Sequence, residues 1–170
     1  MVRGVPVSEE PQPRAPHSAL GRVLAIDLGD RRMGLAISDP LRLTAQGLPT
    51  VERRNRREDM NYLKSLARRK DVAVIIVGNP INMDGTSGPR SVAASEFASK
   101  LEKHLELEVR LWDERLTSVE ASRVLREAGV APEHRNKSVD QVAAVLLLEN
   151  FLEAQRRAPS FDPSGNESHR

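Results

Sequence analysis

Apolar positions along the chain follow two rhythms. Short apolar runs at residues 22–27 (RVLAID), 33–38 (MGLAIS) and 48–52 predict strands, and the polar, glycine-containing turn between the first two predicts a hairpin. Residues 55–69 carry Met60, Leu63, Leu66 and Ala67 at helical spacing. Residues 72–78 (VAVIIVG) are continuously apolar and β-branched, the pattern of a central strand covered on both faces. A loop rich in Gly, Pro and Asn follows, from Asn79 to Pro89. Next come a helix over 91–104, with Val92, Phe97, Leu101 and Leu105 inward, and a strand over 108–112. Thr117 and Glu120 form a capping box for a helix that Gly129 ends as its C′ residue. Ser138 and Gln141 form a second box, opening an apolar helix to about residue 157.

The resulting order, β-β-β-α-β-α-β-α-α, predicts an α/β domain: a mixed five-stranded sheet, three antiparallel strands then alternating helix and strand, flanked by helices. Right-handed crossovers place the fourth strand beside the first, so that their ends meet in the crevice where open α/β sheets bind ligands. One domain is expected over 21–157. Residues 1–20 and 158–170 are rich in Pro and polar groups without periodicity and read as disordered tails.

Composition narrows the chemistry. The 170 residues contain no cysteine, which excludes disulfides and thiolate metal sites. No apolar run approaches the roughly 18 residues that span a bilayer, and the N-terminus lacks the apolar core of a signal peptide. A cytoplasmic protein without membrane contact is expected. The net charge is only +2, but residues 52–70 hold eight basic side chains against three acids. That is either a solvated helix face or a patch that neutralises phosphates. The histidines, His17, His104, His134 and His169, show no metal-ligand spacing, which argues against a zinc enzyme.

Four places can carry chemistry. Asp27 ends an apolar strand and is followed by Gly29, which lets the turn bend and a phosphate approach. Such a carboxylate either caps the turn or meets a cation. The loop at residues 77–90 (VGNPINMDGTSGPR) is an ordinary connection or a phosphate cradle, and without GKS or GKT it is no Walker loop. Asp113 and Glu114 follow a strand, and alternation sends them to opposite faces. Asp140 falls in the first turn of the last helix, where the dipole alone favours an acid. Singly each has a structural explanation. Together, three acidic positions at element ends suit Mg²⁺, which takes hard oxygen ligands.

The motifs resemble those of the YqgF/RuvX family, described as pre-16S rRNA nucleases or Holliday junction resolvases. Asp27, Gly29, Arg32, Gly34 and Ala36 fit DxGxxRxGxA, and Val77, Gly78, Pro80 and Gly85 fit VGxPxxxxG. Residues 113–118 (DERLTS) fit DERxT[ST], and Lys137, Asp140, Ala143 and Ala144 fit KxxxDxxAA. The match covers about residues 22–155 and neither tail. The resemblance implies a ribonuclease-H-like fold, often dimeric, and a metal-dependent endonuclease whose acidic set is Asp27, Glu114 and Asp140, with Asp113 the alternative to Glu114. Many members of the wider superfamily have an acid at the end of strand four, where this chain has Gly78-Asn79-Pro80. The second carboxylate must then reach from strand five, about 9.6 Å from strand one, which suits the longer Glu114.

The function expected is phosphodiester hydrolysis with Mg²⁺, or Mn²⁺ in its place, on structured RNA or branched DNA. Maturation of the 16S rRNA 5′ end is preferred and junction resolution is the alternative. Arg32 and Arg115 would hold phosphates, and Thr86, Ser87, Arg90 and Lys137 would contact the nucleic-acid backbone. Two further classes were weighed. A non-catalytic nucleic-acid-binding module fits poorly, because unscreened carboxylates repel phosphate. An actin-like ATPase needs a second such domain and a far longer chain. With one Trp, one Tyr and three Phe there is no base-stacking platform, so recognition by shape and phosphate is expected.

Overall fold

The computed structural model describes residues 20–115 and 135–158, the second segment with side chains from Val139 onward. The tails up to residue 19 and from residue 159, and the helix expected from Thr117 to Gly129, lie outside the described residues. The elements are β1 (Arg22–Leu28), β2 (Arg32–Ser38), β3 (Ala45–Glu52), α1 (Arg56–Arg69), β4 (Val72–Asn79), α2 (Pro89–Leu105), β5 (Glu108–Asp113) and α3 (Arg135–Arg157).

The strands form one mixed sheet in the order β3-β2-β1-β4-β5. β1 runs antiparallel to β2 and parallel to β4. The β-branched β4 is thus flanked by β1 and β5 and covered on both faces, as its unbroken apolar run requires.

Alternation divides the inner strands between two cores. Leu24, Ile26, Met33, Leu35, Ile75 and Val77 face α1 and α2, against Leu63, Leu66, Phe97 and Leu101. Val23, Ala25, Ala36, Val74 and Ile76 face α3, against Ala144, Leu147, Leu148, Phe151 and Leu152. Beyond Arg32, the even positions of β2 are small residues (Gly34, Ala36, Ser38), and α3 lies over them.

Two sequence expectations are corrected. Val92 is 52% exposed, while Ser91 and Ala94 are buried. α2 begins earlier than expected, at Pro89 after Gly88, and the Ser91 hydroxyl donates to Asn79 Oδ1 at 2.6 Å, turning that face inward. The last helix is described from Arg135, so Ser138 is an internal position of it and not its N-cap. Gln141 instead reaches β3, its Nε2 donating to the Leu48 carbonyl at 3.0 Å.

Candidate active site

Asp27 lies on β1 opposite Gly34 of β2. It continues the Val23, Ala25 row, so its carboxyl group belongs to the face covered by α3. On the far side of β4, Trp112 of β5 sits in the same face, its ring edge-on to Phe151 at 5.1 Å. The β4–β5 pairing runs to Asn79 and Asp113 and continues as Glu114 N donates to Asn79 O at 3.2 Å. Two residues past Trp112, Glu114 therefore returns to the α3 face, and Asp113 takes the other.

Between these carboxylates stands Gly78. A Cβ there would fall 2.7 Å from Glu114 Cδ and 2.8 Å from its Cγ, so the glutamate side chain lies in the space a larger residue would fill. Glu114 crosses β4 through this gap and donates a hydrogen bond to the Asp27 carboxylate. Burial, then the Asp27 charge and that hydrogen bond, push Glu114 up to about 8 from an ordinary 4.5. Asp27 is also raised, mainly by burial; the hydrogen bond from Glu114 opposes this, and the Asp140 charge adds to it. Both shifts favour a proton on the pair. Arg90, at the start of α2, exerts a favourable field on both carboxyl groups.

Asp140 rides on α3 directly over Gly34. A Cβ on Gly34 would fall 2.5 Å from the Asp140 carbonyl carbon and 3.2 Å from its Cα. The side chain is turned along β2, where Arg32 Nε donates to its Oδ2 at 3.0 Å. The next residue, Gln141, packs over Gly47 of β3. Two glycines thus let the start of α3 lie on the sheet backbone.

The structure brings Asp27, Glu114 and Asp140 to one end of the sheet, with Arg32 and Arg90 beside them. It turns Asp113 away into an ion pair with Arg115, whose Nε donates at 2.8 Å and which holds the Asp113 carboxyl below the usual carboxylate range. Arg115 is correspondingly engaged. The Thr86 hydroxyl is taken by Asp84 at 2.6 Å and Asn82 at 3.0 Å, in a small turn closed by the Ile81–Ser87 bridge. Lys137 lies on α3, its side chain outside the described residues.

Sequence reasoning missed two features. Gly78 reads as the end of strand four and as a position without an acid; its role as a gap for Glu114 appears once β4 is known to lie between β1 and β5. Arg53, counted in the basic segment, is structural. Its Nε donates to the buried Asp59 at 3.2 Å, its Nη1 donates to Gly29 O at 2.8 Å, and it lies over the Phe97 ring. A polar residue with 4% exposure inside a charged helix leaves no trace in apolar periodicity.

A family model described as "RuvX: Holliday junction resolvase" matches residues 21–154 and so spans all four motifs. The chain belongs to the RuvX family. A relative from Koribacter versatilis, named "Putative pre-16S rRNA nuclease", is 47% identical over 140 residues, covering 82% of this chain and 92% of its own. A relative of the same name from Halothermothrix orenii is 45% identical over 136 residues, covering 80% and 97%. Among solved structures, the fowlpox virus resolvase in complex with Holliday junction DNA matches with a TM-score of 0.51 at 13% identity, over 79% of this chain and 98% of that one. That likeness is one of fold: this RuvX-family chain has the ribonuclease-H-like architecture.

The donor set suits a hard cation. Two carboxyl groups are held in contact at a partly buried point, and a divalent ion can replace the proton they share. Among the described residues no three acidic or histidine side chains are grouped as a complete ligand set, and Asp140 is paired with Arg32. Asp27 and Glu114 would hold the ion, with Asp140 the adjacent acid.

Proposed function

We propose that this protein is a nuclease that hydrolyses phosphodiester bonds in structured RNA, acting at the 5′ end of precursor 16S rRNA in the cytoplasm with Mg²⁺, or Mn²⁺ in its place. One observation carries the reading: the contact between Asp27 and Glu114 through the gap at Gly78. Two carboxyl groups held together against their own repulsion and burial have a stability cost that a structural role does not need. A cation relieves both. Names of relatives at 45–47% identity supply the substrate.

When bound, the cation supplies charge for the phosphate oxygens and lowers the pKa of attacking water. The chain's residues do the rest. Asp27 and Glu114 would hold the ion, and would release the proton between them on binding it. Arg90 and Arg32 flank the acidic residues and can donate to phosphate oxygens, lowering the repulsion between substrate and carboxylates. Exposed Arg56 and Arg57 at the start of α1 extend the phosphate-binding surface. Trp112 is spent on the core against Phe151, in keeping with recognition by backbone and shape.

The family description favours a second reading, cleavage of four-way DNA junctions. Two coordinated cuts require a symmetric pair of subunits. Cleavage of precursor 16S rRNA, an unstructured strand and a four-way junction, compared side by side with Mg²⁺, separates the two. Preferential cutting of the rRNA precursor is expected. Preference for the junction, with a dimer in sedimentation, would establish the second reading, and cutting of none would remove both.

A further inference from the structure

Asp140 places its charge on Asp27, yet its carboxylate is bonded to Arg32. Its backbone is fixed over Gly34, the residue paired with Asp27. From that point two neighbours compete for the carboxylate. Arg32 lies two residues back along β2 on the same face and holds it at 3.0 Å. Asp27 lies across the β1–β2 ladder, near enough for the Asp140 charge to act on it. Gly34 and Gly47, with the Gln141–Leu48 bond, pin the start of α3. Moving the carboxylate from one neighbour to the other therefore needs side-chain rotation and no shift of the helix.

Arg32 is 31% exposed, and its guanidinium is suited to bidentate phosphate binding. A phosphate that engages Arg32 draws it from Asp140. The freed carboxylate then faces the cation held by Asp27 and Glu114. We infer that Arg32 is a positioning residue that withholds Asp140 from the cation site until nucleic acid binds. The inference rests on the reading of Asp27 and Glu114 as cation ligands. It makes cation and nucleic-acid binding mutually reinforcing, since a coupling between two ligands acts equally in both directions.

The test is calorimetric Mg²⁺ affinity for the wild type, Arg32→Gln, Asp140→Asn and the double variant, with folding checked by circular dichroism. Arg32→Gln is expected to bind Mg²⁺ roughly fivefold more tightly without nucleic acid, the scale of releasing a partly exposed ion pair. In the Asp140→Asn background the same change is expected to make no difference. A phosphorothioate RNA duplex that resists cleavage is expected to tighten Mg²⁺ binding to the wild type and not to Arg32→Gln. Unchanged or weaker binding by Arg32→Gln would overturn the inference. So would an equal gain in the Asp140→Asn background, which would mark simple repulsion between Arg32 and the cation. Asp27→Asn reports separately: Mg²⁺ binding unaffected by that change would remove the underlying site, whatever Arg32 does.

Discussion

Glu114 reaches Asp27 across Gly78, so carboxyl groups from the two strands that flank β4 meet over a position with no side chain. The chain has no acid at the end of β4. The gap there lets a glutamate from the next strand lean over.

Gly78→Ala is therefore a test of geometry rather than of folding. The added methyl would occupy the space of Glu114 Cγ and Cδ, and a side chain moves more easily than a strand. Cleavage is expected to fall by about 100-fold, the scale of an ångström-sized misplacement. The thermal midpoint should move by only a few degrees. Steady-state kinetics and a melting curve check both.

Glu114 and Asp113 should separate by function. Glu114→Gln is expected to reduce turnover by about 100-fold or more, whereas Asp113→Ala breaks only an exposed pair with Arg115, worth about 1 kcal/mol or less. Its turnover should stay within about threefold of wild type. Equal losses for the two would mean that β5 delivers Asp113 instead.

Stability of the cation-free protein should depend on pH in a definite direction. The folded state raises Glu114 from 4.5 to about 8, chiefly by burial. A group raised on folding binds its proton more tightly in the native state, so its contribution is complete below pH 4.5 and is lost as pH rises to about 8. Urea denaturation should show falling stability across that interval, and Glu114→Gln should flatten it. Mg²⁺ affinity should rise over the same interval, because binding displaces the shared proton.

Arg53→Met should destabilise without touching substrate. It leaves the buried Asp59 carboxylate with the Arg54 amide at 3.3 Å and frees the Gly29 carbonyl in the turn after Asp27. A loss of about 2–3 kcal/mol is expected, below the 3–5 of a fully buried pair because Arg53 is 27% exposed. Chemical denaturation measures it directly.

The hairpin and β4 were legible in the sequence because each carries its own signal: short apolar runs about a glycine-containing turn in the hairpin, an unbroken β-branched run in β4. The crossover rule then placed β4 beside β1. Asp27 was legible as a strand-end carboxylate, and the choice of Glu114 was within reach. Trp112 is the large apolar residue of β5, and a residue two positions on shares its face. What the sequence hid were relationships between elements. Gly34, Gly47 and Gly78 look alike as letters, yet two admit α3 and one admits a side chain from the second neighbouring strand. The capping signal at Ser138 misled because contact with β2 and β3 outweighs local capping at the start of α3. Val92 misled because α2 begins at Pro89, ahead of the apolar pattern.

The most direct measurement is cleavage of a precursor 16S rRNA 5′ leader with Mg²⁺ by wild type and Asp27→Asn, alongside Mg²⁺ titration of both. Asp27→Asn keeps the side chain's size and its contact with Glu114 but removes the anchoring charge. Loss of both cleavage and Mg²⁺ binding, with the melting temperature kept or raised, is the expected result. Cleavage by Asp27→Asn at the wild-type rate would contradict the account.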